Sequence, residues 1–166
     1  MTERPTTSGS SAGHYEEEIR FVTALCNAAG GDGSTSPSER QWIKGVFSVK
    51  GYLPSVIAKI DELADEAEKK SPETVAEDAA EAMTVGTLPY AAPCIIYDCI
   101  KAASEDGLDR KEWTVIKMIA EKMGVDEDHV ENMKACVEEE EALKKKRLAL
   151  CFPKGHPVLD DKYKSS

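Results

Sequence analysis

Apolar residues recur every three or four positions along most of this chain, and no segment alternates in the period-two manner of a strand. Ile19, Val22, Cys26 and Ala29, widened by Phe21 and Leu25, predict a first helix from Tyr15 to Ala29. Gly30-Gly31-Asp32-Gly33 ends it. Ser36-Pro37-Ser38-Glu39 restarts the chain as a helix, with Ser36 as N-cap, proline in the first turn and Glu39 at the spacing of a capping box. Ile43, Val46 and Phe47 give that helix its apolar face before Lys50-Gly51 stops it. A third helix is expected from Pro54 to Lys69, with Val56, Ile57, Ile60 and Leu63 facing inward. Ser71-Pro72-Glu73 opens an Ala/Glu-rich helix to about Met83, whose thin apolar side suits a cover over the core. Two prolines make Thr87 to Pro93 a connection. Cys94 to Ala103, rich in isoleucine, reads as the most buried helix. Asp106-Gly107 turns the chain, and Asp109 with Glu112 repeats the capping-box spacing ahead of Trp113, Ile116, Ile119 and Met123. A last helix runs from after Asp126 to about Leu150. Its surface pairs Glu140 with Lys144 and Glu141 with Lys145 four residues apart.

The pattern contains a duplication. Ala28-Ala29, Asp32 and Gly33 fall on Ala102-Ala103, Asp106 and Gly107. With one residue opened in the second loop, Glu39, Ile43, Lys44 and Gly51 fall on Glu112, Ile116, Lys117 and Gly124. Ile57, Ile60 and Leu63 then match Val130, Met133 and Cys136. The fold class is therefore all-α: about seven helices in two duplicated helix–acidic turn–helix units forming a compact bundle. Residues 1–14, rich in Thr, Ser and Gly, read as a disordered leader, 15–151 as the helical domain and 152–166 as an irregular tail.

At the paired loops, Asp32-Gly33 with Glu39 and Asp106-Gly107 with Glu112, the chain resembles the tellurite-resistance TerB-like family. The best-matching stretch is Ala102 to Glu112, and the likeness covers about Glu17 to Leu63 and Pro93 to Leu150. The resemblance implies a helical domain associated with metal or oxyanion stress, whose acidic repeats chelate a metal ion. The second loop departs from the first by one residue, so Glu112 need not reach where Glu39 does.

Charge narrows the partners. Lys+Arg 21 against Asp+Glu 31 gives a net charge of -10. An acidic field disfavours nucleic acid and favours cations or a protein partner docking on the acidic face. No apolar run approaches the ~20 residues of a membrane span, and the first residues lack the apolar core of a signal peptide. Five cysteines without a Cys-x-x-Cys pair suit a reducing cytoplasm.

Two readings of the loops stand open. Asp32, Glu39, Asp106, Asp109 and Glu112 offer oxygen ligands for a divalent cation such as calcium or magnesium. Equally, Asp32 and Asp106 can satisfy turn amides while Glu39 and Glu112 complete capping boxes. An EF-hand is excluded, because Ala28 and Gly30 stand at its first and third ligand positions. His14, His129 and His156 lack a recognisable catalytic partner, and no phosphate loop, His-Glu-x-x-His or Gly-x-Ser-x-Gly occurs. Cys94 reads as a small buried hydrophobe, with a thiol activated by the helix start as the competing reading. Trp42 and Trp113 read as core residues. The chain is thus expected to be a non-enzymatic binding module. The alternative is a carrier of a small apolar ligand, lipid or pigment, held between the repeats and suggested by Leu88 to Ile100.

Overall fold

The computed structural model describes residues 10–84 and 91–155, with side chains for 15–81 and 91–155. Among the described residues eight helices follow one another: α1 (Ser10–Ala29), α2 (Pro37–Val49), α3 (Pro54–Ile57), α4 (Ile60–Ala67), α5 (Pro72–Thr84), α6 (Ala92–Ala103), α7 (Arg110–Lys122) and α8 (Glu127–Cys151). The described residues contain no strand.

The duplication is visible in the packing. α1 and α6, the first helices of the two units, lie against each other at the centre. α1 also touches α2 and α4, as α6 touches α7 and α8, and the crossed contacts α2–α6 and α1–α7 match in the same way. Val22, Leu25, Cys26, Ala28 and Ala29 are wholly enclosed on α1, as are Ile96, Cys99, Ile100, Ala102 and Ala103 on α6. The paired alanines let the two central backbones approach. Even the helix stops correspond. Tyr52 N–H reaches Phe47 C=O past Gly51, and Val125 N–H reaches Ala120 C=O past Gly124, with positive φ at both glycines.

Several expectations need correction. α1 starts at Ser10 rather than Tyr15, because a helix already nucleated by a buried stripe propagates at little cost through Ala12. Residues 1–9 and 156–166 lie outside the described residues, as does most of the Thr87–Pro93 connection. The helix expected from Pro54 to Lys69 is broken at Ala58-Lys59, where Lys59 N–H turns back to Val56 C=O. The break buries Val56 and Ile60, and leaves Ile57 and Leu63 only half-buried. α5 does not merely cover the core. Val75, Ala76 and Ala79 are enclosed between α1 and α7, since alanine brings a helix close without needing large side chains.

Cys94 is exposed, because the α6 register turns Ile95 and Ile96 inward and Cys94 away. The i,i+4 pairs expected on α8 do not form. Glu140 accepts from Tyr97 and Lys101 of α6, while Lys144 pairs with Glu105 and, one turn back on α8, with Glu141.

Candidate functional site

Each acidic loop delivers its glutamate by the same local device. In the first, Ser36 Oγ accepts from Glu39 N–H at 3.2 Å, and Ser36 N–H donates to Glu39 Oε2 at 2.6 Å. In the second, Asp109 Oδ1 accepts from Lys111 and Glu112 N–H at 2.6 and 2.8 Å, while Asp109 N–H donates to Glu112 Oε2 at 2.7 Å. Both capping boxes are complete. Each glutamate is thereby fixed through one carboxylate oxygen and buried, Glu39 at 2% and Glu112 at 4% exposure.

The Glu39 and Glu112 carboxyls lie close enough across the repeat boundary to perturb one another, and Glu39 Oε1 is buried without a hydrogen-bond partner among the described residues. Burial raises the proton affinity of both, opposed by the capping amides. The aspartates add to it crosswise: Asp106 of the second loop acts on Glu39, and Asp32 of the first acts on Glu112. The pair titrates as a unit that retains a proton above the ordinary glutamate range.

Four of the five sequence candidates, Asp32, Glu39, Asp106 and Glu112, thus share one electrostatic junction. Asp109 also raises the proton affinity of Glu112, but its Oδ1 is committed to helix amides. Asp32 Oδ1 accepts from Ser34 N–H at 2.8 Å, the turn role that its position suggested. Among the described residues, no group of three or more His, Cys, Asp or Glu converges as a ready-made metal cage.

A tellurite resistance protein from Nostoc punctiforme has a crystal structure that matches this chain with a TM-score of 0.62 and 26% identity. The match covers 87% of this chain and 85% of that one. The fold is TerB-like. No family model matches the chain, and no curated protein matches it.

Within this TerB-like bundle, residues outside the acid motif hold the first loop in place. Glu68 Oε1 accepts from Thr35 N–H at 2.8 Å and from Arg40 at 2.6 Å. Arg40 also bonds to Thr35 C=O and pairs with Asp65. Sequence reasoning missed this anchor because Glu68 lies far along the chain in a segment without repeat character. Trp42 and Trp113 sit half-buried against the core, and the Lys134 ammonium lies 4.9 Å from the Trp113 ring centre. His129 is exposed on α8. Of the stretch suggested for an apolar ligand, Ile95, Ile96, Cys99 and Ile100 are packed into the core, while 85–90 lies outside the described residues. No described helix is long and apolar enough to cross a membrane.

Proposed function

We propose that the chain is a non-enzymatic TerB-like module of a metal or oxyanion stress response, which binds a divalent cation at the junction of its two acidic loops. The observation that carries this reading is the burial of Glu39 and Glu112, one from each loop, with Glu39 Oε1 unpartnered and the pair's proton affinity raised further by Asp106 and Asp32 of the opposite loops. A site that retains a proton at the centre of four acids is electrostatically prepared to exchange it for a harder cation. The net charge of -10 concentrates cations around it. Magnesium or manganese, which keep several waters and need only one or two carboxylates, suit two facing acids better than calcium, which takes six to eight oxygens. Binding is weak, because one oxygen of each glutamate is already used by a capping amide.

Titration of magnesium, manganese and calcium into the protein at fixed ionic strength tests the reading, with Trp42 and Trp113 emission and proton release both recorded. Saturation accompanied by release of up to one proton is expected, and is lost in Asp32→Asn with Asp106→Asn. Equal responses in the two proteins, or none at millimolar ion, would reduce the junction to a structural carboxyl pair.

A further inference from the structure

In its second half α8 extends with only one side tied to the bundle, through Glu140, Glu141 and Lys144. Val130, Met133 and Val137 are its buried residues, and beyond Val137 most side chains are exposed. One face of this extension carries Cys136, Glu139, Leu143, Arg147 and Leu150, which 100° per residue places within about one third of the helix circumference. Leu143 is 66% and Leu150 75% exposed, unusual for leucines seven residues apart on one stripe. The side chains of Glu139, Lys146 and Arg147 make no hydrogen bond or ion pair among the described residues, unlike those of Glu140 and Lys144 nearby. The acidic run Glu138–Glu141 precedes the basic run Lys144–Arg147, with Leu143 near the midpoint.

We propose that this face is the homodimer interface of the protein, formed by antiparallel pairing of α8 with α8 of a second copy about a twofold axis at Leu143. The face is its own complement only in that arrangement. With Leu143 opposite Leu143, Glu139 stands opposite Arg147, and Leu150 opposite Cys136. Parallel pairing would set acid against acid and base against base. A twofold contact repeats each opposite-charge pair, so every favourable pair counts twice. The charges fix orientation and register, and the leucines supply the apolar contact. A single helix pair of this length buries less than the usual stable interface, so the dimer is weak and depends on concentration.

Sedimentation equilibrium from micromolar to millimolar protein provides the test, using wild type, Glu139→Arg, Arg147→Glu and the double exchange. All three variants alter exposed helical positions with good helix formers, and far-UV circular dichroism checks the fold. Wild type is expected to dimerise reversibly. Each single reversal should weaken association about tenfold or more, by turning two attractive pairs repulsive. Mixing the two single variants should restore association as a heterodimer, and the double exchange should restore it within one chain. A wild type that stays monomeric to millimolar concentration overturns the proposal. So does a dimer indifferent to both reversals, or single-variant losses that neither mixing nor the double exchange repairs.

Discussion

The two acidic loops share a backbone turn and differ in what holds it. Both pass through an Asp-Gly step with positive φ, at Gly33 and Gly107, and both end in a complete capping box. The first loop is wedged. A Cβ on Gly31 would lie 2.9 Å from Val115 Cβ on α7, and one on Gly30 would lie 3.2 Å from Ala67 Cβ on α4. The second loop has Ser104 and Glu105 at the matching places, and Glu105 is tied to Lys144 of α8 by an ion pair. Behind the loops the exchange of chemistry continues. Where Arg40 bonds to the Asp61 carbonyl, the equivalent Trp113 faces the equivalent Lys134 as a ring beneath a cation. Duplicated backbone geometry therefore survives while close packing, ion pairing and cation–π contact replace one another around it. What both copies retain is the glutamate that meets its counterpart at the centre.

The largest expected contrast lies in the core that the units share. Ile96 is fully enclosed between α6 and its neighbours, whereas Ile57 is half-buried beside the α3–α4 break. Ile96→Ala should cost about 2–5 kcal/mol and Ile57→Ala less than about 2 kcal/mol in chemical denaturation. Equal losses would mean that the break does not relieve Ile57 of core packing.

A smaller contrast separates the loops themselves. Gly31→Ala should destabilise by about 1–3 kcal/mol, because the methyl meets the branched carbon of Val115. Glu105→Ala removes one partly screened ion pair and should cost less than about 1 kcal/mol. A stabilising Gly31→Ala would show that α7 yields easily and that the first loop is not held by contact.

The smallest effect concerns the residues the loops have in common. The folded pair holds its proton above the ordinary value of 4.5, with Glu39 pushed up to about 8 and Glu112 to about 7, chiefly by burial. Stability from that proton is complete below the unfolded value and is lost as pH rises through the folded values. The wild type should therefore lose stability between about pH 5 and pH 8, and Glu39→Gln, which mimics the protonated acid, should flatten that decline. A melting temperature with the same pH dependence in both proteins would break the assignment of the shared proton.

Sequence alone determined much of this molecule, because local rules governed it. Helical periodicity gave the all-α class, proline, serine and aspartate gave the helix starts, and the matched glycines gave the two units. Both capping boxes were legible in the spacing of Ser36 with Glu39 and Asp109 with Glu112. Only the tertiary structure brought those glutamates together. Spacing within a loop carries no information about distance between loops, although a twofold duplication offered a signal, since equivalent residues near such an axis meet each other. The structure likewise decided that Glu68 and Arg40 hold the first loop, that α5 lies between α1 and α7, and that the α3–α4 segment breaks. Each depends on partners distant in the chain, where side-chain shape and charge decide the outcome after local propensity has been satisfied.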